Sequence, residues 1–140
     1  MTSVIIMLSI LAVIGGMVLN YYEFSQGYPA TVKNLVVTFT YMSIWIFVLL
    51  VGIKNKNPRI LTHCLKFWIL TLFFLIILIY ANSTMALLHL PMPFVFLFCS
   101  QWYGFNFLSS NFLIVTFLTA LISLLMVVIT IIYYKRIKAV

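Results

Sequence analysis

The residues able to do covalent, acid–base or metal chemistry are few: Cys64 and Cys99, His63 and His89, and a single acid, Glu23. One carboxylate excludes the paired acids of glycoside hydrolysis and leaves metal-assisted hydrolysis without its ligands. The cysteines form no C-x-x-C pair, so a thiol–disulfide relay lacks its residues. Ser/His/Asp sets and phosphate-cradling glycine loops are also missing from the sequence. An imidazole with no neighbouring carboxylate or thiolate is a poor metal ligand, so neither a metal nor a cofactor is expected. Glu23 follows Tyr21 and Tyr22 at the end of an apolar run, where a solvated acid or a partner for Lys33 is the plain expectation.

The elements that must position these residues are set by composition. Hydrophobic residues make up 66% of the chain and charged residues 6%. Soluble domains are closer to ~45–50% and ~25%, so the bilayer must solvate most of this surface. The expected fold is an all-α integral membrane protein, a four-transmembrane-helix bundle forming one membrane domain over residues 1–140. Spans are predicted at about 4–22, 35–53, 65–85 and 112–134. Each run is near the ~20 residues that a ~30 Å hydrocarbon core requires. The first run lacks a basic flank and an A-x-A site, so a retained helix is expected rather than a cleaved signal.

Charge sets the expected orientation. Lys54, Lys56, Arg59 and Lys66 lie between the second and third spans, and Lys135, Arg136 and Lys138 follow the last. The positive-inside rule puts both clusters in the cytoplasm, which gives an N-in/C-in chain. The net charge of +7 is therefore topogenic, and nucleic-acid binding is not expected. A fifth span within residues 82–111 would put the two clusters on opposite sides. The run after Pro93 is also too short to cross, roughly 22 Å for Phe94 to Leu108. Residues 82–111 are predicted to be an external segment that lies in the interface or dips into the bundle as a re-entrant element. Its Trp102 and Tyr103 suit the headgroup level.

In that topology Cys64 and Cys99, and likewise His63 and His89, fall on opposite sides. A disulfide needs Cα atoms within ~7 Å, so none is expected within one chain.

Small and hydroxyl residues recur at helical spacing. Ala12 and Gly16 share a face of the first span, with Ser9 one turn earlier, and Thr116, Thr119, Ala120, Ser123 and Thr130 share a face of the last. Thr40 and Ser43 add to this in the second span. Such residues let helices approach closely and hydrogen-bond across the gap, so a packing seam is expected. The external segment has no charge and many aromatics, which makes His89, Cys99, Gln101, Trp102, Tyr103 and Asn106 the candidate contacts with a partner or ligand.

Three functions fit these residues. The first is a non-enzymatic accessory, regulatory or immunity-type protein. It binds another membrane component, either a second integral membrane protein or its own copy, within the lipid bilayer. The alternative is a small oligomeric transporter or channel. The third is an enzyme on a lipid or quinone substrate, using His89, Gln101, Tyr103 or Asn106. Abundant Ile, Phe, Leu and Asn with little Ala fit an AT-rich bacterial genome, and hence a bacterial plasma membrane.

Overall fold

The computed structural model describes residues 2–84 and 92–138, with the side chains of 81–84 and 92 outside the described set. Its elements are α1 (Thr2–Gln26), α2 (Val32–Lys54), α3 (Pro58–Thr84), α4 (Met92–Cys99), a 3₁₀ helix (Ser100–Phe107) and α5 (Phe112–Lys138). Four helices are long and apolar enough to cross a membrane: α1, α2, the Pro58–Tyr80 part of α3, and α5.

Each long helix runs past the apolar stretch that marks it in the sequence. The third begins at Pro58, seven residues before the expected 65, and the last continues to Lys138. Helical geometry does not stop at the hydrocarbon boundary, because the backbone bonds itself and polar side chains face outward from the ends. The starts are set by local chemistry. Pro58 needs no N–H partner in a first turn. Asn57 Oδ1 accepts from the amides of Arg59 (3.0 Å) and Ile60 (3.3 Å), and Asn111 Oδ1 does the same for Leu113 (3.0 Å) and Ile114 (3.3 Å). Gly27, at φ 66°, ends α1 where a β-carbon would be strained.

The packing order is α1 beside α2, α2 beside α3, and α3 beside α5, the last pair being the most extensive. Residues 92–107 complete the bundle. Helix α4 lies on α3 and α1, and the 3₁₀ helix wedges against α2 and α1. The main core gathers Tyr41, Trp45, Val48, Leu61, Cys64, Trp68 and Trp102, all nearly inaccessible. A second core joins Leu75 and Leu78 of α3 to Val95, Phe98 and Cys99 of α4, with Phe74 and Phe98 stacked at 5.0 Å. Trp102 is 2% exposed and packs on Trp68 at 5.9 Å. Its ring is covered by Tyr41, Trp68 and Phe105.

Candidate functional site: a polar clamp on residues 100–107

The 3₁₀ helix is eight residues long, well beyond the three or four that this strained geometry usually sustains. It is held by side chains from α1 and α2. Asn20 Nδ2 donates to the Ser100 carbonyl at 2.9 Å, and Asn34 Nδ2 donates to Asn20 Oδ1 at 3.0 Å. Asn34 Oδ1 in turn accepts from the Thr31 amide at 2.8 Å, so one side chain caps α2 and anchors Asn20. Thr38 Oγ1 donates to the Gln101 carbonyl at 2.6 Å and accepts from the Gly104 amide at 3.0 Å. Asn20, Asn34, Thr38 and Gln101 are all fully buried. In an apolar surround each of these groups would cost several kcal/mol if left unpaired, about 1–3 by protein mutational measures. Pairing them across elements converts that cost into a fixed register.

Two glycines make the contact close. A β-carbon on Gly104 would stand 2.2 Å from the Asn34 carbonyl oxygen and 2.5 Å from Thr38 Oγ1. On Gly16 it would meet Gln101 Cγ at 2.8 Å. Gln101 Nε2 donates to the Val13 carbonyl at 3.2 Å and also to the Leu97 carbonyl. Val13 stands near the middle of α1, with roughly 20 Å of helix between it and the Gln26 end. The tip of the segment therefore reaches half the length of α1.

At the Gln26 end, Tyr103 Oη donates to the Tyr28 carbonyl, and Phe24 meets Tyr103 and Phe96 edge-on at 5.5 and 5.3 Å. The expected Glu23–Lys33 pair is present at 2.6 Å. At the opposite end His63 stacks on Trp45 at 5.8 Å, and its Nε2 lies 2.8 Å from Ser9 Oγ. Ser9 Oγ also lies 2.7 Å from the Ile6 carbonyl, so the hydroxyl bridges its own helix and the imidazole. His63 is thereby a packing residue tied to α1.

The structure places the candidates as follows. Cys99, Gln101 and Trp102 are buried within the chain, while Tyr103 and Asn106 are half-buried. His89 lies outside the described residues. Ala12, Gly16, Thr116, Thr119 and Ser123 are buried and Ala120 is half-buried. Their hydroxyls, however, do not bond across the gap. Thr116, Ser123 and Thr130 donate to the carbonyls four residues back, and Thr119 to the carbonyl three back. Thr40 and Ser43 face outward instead of into a seam, and Ser43 donates to its own Phe39 carbonyl. Both cysteines are free. Among the described residues no three His, Cys, Asp or Glu side chains gather as a metal site would need.

Asn20, Asn34, Thr38 and Gly104 are the clamp residues that sequence reasoning passed over. The available signal was an amide at each end of the α1–α2 loop, in "VLNYY" and "VKNLVV".

Outside the clamp, α1 and α2 leave an open groove of about 380 Å³. Leu11, Ala12, Gly15 and Gly16 are among the residues that line it from α1, and Val36 and Thr40 among those from α2. A β-carbon on Gly15 would touch nothing within 4 Å. A shallower groove shares Val36, Thr40 and Ile44 and continues over Phe39, Ser43 and Phe47. Set against known proteins, the chain matches no family model, no curated protein and no solved structure.

Proposed function

We propose that this chain is a non-enzymatic integral membrane protein that acts by binding a transmembrane helix of another membrane protein in the α1–α2 groove. The observation that carries the reading is the contrast between adjacent glycines. Both glycines line the groove, but a β-carbon on Gly16 would meet Gln101, whereas one on Gly15 would meet nothing within 4 Å. In lipid there is no hydrophobic drive to bring helices together, so small residues that allow close backbone approach do that work. The exposed Thr40 beside them gives a partner helix a hydrogen-bonding group. The amides of Asn20 and Asn34 and the hydroxyl of Thr38 are spent on the chain's own groups.

The orientation we propose is N-in/C-in, in a bacterial plasma membrane. Lys56 and Arg136 line one pocket, so the two basic clusters of the sequence meet at the same end of the bundle, and the positive-inside rule makes that end cytoplasmic. Residues 92–107 then enter from the external side as a re-entrant element. Irregular backbone at that depth is sustainable only where protein groups satisfy it, as Asn20, Asn34 and Thr38 do here.

The test is affinity capture from native membranes after mild cross-linking, comparing the wild type with Gly15→Leu. A β-carbon at Gly15 meets nothing within 4 Å, so the leucine enters the groove without displacing the backbone. A stoichiometric membrane partner captured by the wild type and lost from the folded variant supports the reading. A partner retained by Gly15→Leu removes the groove from it, and capture of only this chain replaces the foreign partner with self-association.

A further inference from the structure

We propose that the cytoplasmic end of the bundle carries a binding site for one anionic phospholipid, built by Lys56 and Arg136. They line a pocket of about 440 Å³ with Ile53, Tyr133 and Ile137. The site joins the α2–α3 turn to the last turns of α5, so it exists only in the folded bundle. Arg136 lies over the Tyr133 ring at 5.6 Å, which fixes the guanidinium at the pocket wall. Ile53 and Ile137 are half-buried beside it and offer an apolar wall to acyl chains.

Charge accounting singles out an anion. Seven of the eight cationic side chains belong to the two basic clusters. The only acidic side chain in the sequence, Glu23, is paired with Lys33, between α1 and the start of α2. Lys56 and Arg136 therefore have no acidic side-chain partner, which leaves their charge open to an anionic ligand. Basic pockets between helices on the cytoplasmic side are suited to phosphodiester headgroups, with the apolar wall favouring a lipid over free phosphate.

The backbone supplies a second, independent argument. Lys56 has φ 47°, the one non-glycine residue with positive φ among the described residues. It closes α2 in a Schellman turn, in which the Asn57 amide donates to the Gly52 carbonyl (2.9 Å) and the Lys56 amide to the Ile53 carbonyl (3.1 Å). Glycine fits that position best, because a β-carbon crowds the left-handed conformation. A lysine held there against local preference is a backbone outlier of the kind that accompanies binding sites. It aims a cation at the pocket mouth from a turn that glycine would make more comfortably. The site shares no residue with the α1–α2 groove, and it stands or falls separately from the partner-binding reading.

The experiment is native mass spectrometry of the purified full chain in neutral detergent, titrated with dioleoyl phosphatidylglycerol or, separately, dioleoyl phosphatidylcholine. One tightly retained phosphatidylglycerol is expected, with phosphatidylcholine much weaker. Lys56→Gly should melt no lower than the wild type yet lose about fivefold in phosphatidylglycerol affinity, the effect of one basic residue near a lipid surface. Arg136→Gln should lose a similar factor, and the double variant about 25-fold by the same scaling. Lys135→Gln, outside the pocket, should lose less than twofold. Equal retention of the two lipids overturns the proposal, as does a loss in Lys135→Gln matching the pocket variants. Full competition by millimolar inorganic phosphate overturns the lipid assignment and leaves a simple anion site.

Discussion

Between α3 and α5, Thr116, Thr119, Ser123 and Thr130 return their hydroxyl protons to carbonyls of their own helix. Between the 3₁₀ helix and α1–α2, the polar groups of Asn20, Asn34, Thr38 and Gln101 cross from one element to another. Both seams are buried and both bring backbones close, yet they hold their register differently. A hydroxyl satisfied within its helix makes that helix narrow and self-sufficient, so its contact is governed by shape. An amide or threonine that completes a neighbour's backbone makes the contact specific, because sliding the segment by one residue leaves several buried groups unpaired. The first seam joins two regular helices that need no help with their backbone bonds. The second seam holds eight residues of 3₁₀ helix, whose weaker bonds need that help.

The largest test of this contrast is a pair of identical substitutions. Gly104→Ala should cost about 3 kcal/mol or more, because its β-carbon would overlap a backbone carbonyl that cannot turn aside. Gly15→Ala, with open space above it, should be neutral or stabilising by up to ~1 kcal/mol through helix propensity. Reversible unfolding in mixed micelles measures both, and similar losses would erase the distinction between a docked and a free glycine. Next in size, Asn34→Leu should cost about 2 kcal/mol, since it removes the bond to Asn20 and strands that buried amide. The same unfolding assay reads it, and a change under ~0.5 kcal/mol would mean that the amide chain is incidental. Smallest of all, Ser123→Ala should shift stability by less than ~0.5 kcal/mol, because the lost bond lies within one helix. A loss near that of Asn34→Leu would show that the α3–α5 seam uses its hydroxyls for more than shape.

How much of this was legible in the sequence differs between the same two seams. The four spans follow from apolar runs of adequate length, and the small-residue stripe of α5 follows from a helical period. Both are local patterns. The clamp joins residues 80 and 63 positions apart, Asn20 to Ser100 and Thr38 to Gln101, and no local period carries that information. Gln101 stood out as an amide in an apolar stretch, but its polarity pointed outward to a partner as readily as inward to Val13. The helices outrun the apolar runs for another reason. Polar residues such as Arg59 and His63 end the apolar signal without ending the helix, whose backbone is indifferent to the hydrocarbon edge. Gly104 had no sequence signal apart from being a glycine; its meaning is the 2.2 Å to Asn34 that a β-carbon would have left.

The central claim is that residues 100–107 are clamped inside the bundle. Hydrogen exchange of the purified protein in micelles, read by mass spectrometry, tests it most directly. The Gly104 amide, bonded to Thr38 Oγ1 at 3.0 Å, and its neighbours should exchange as slowly as residues 116–130 of α5. Thr38→Val should accelerate residues 100–107 while leaving 116–130 unchanged. Wild-type exchange at 100–107 as fast as in the exposed turn at 27–29 would contradict the account, because it would put the segment on the surface of the bundle.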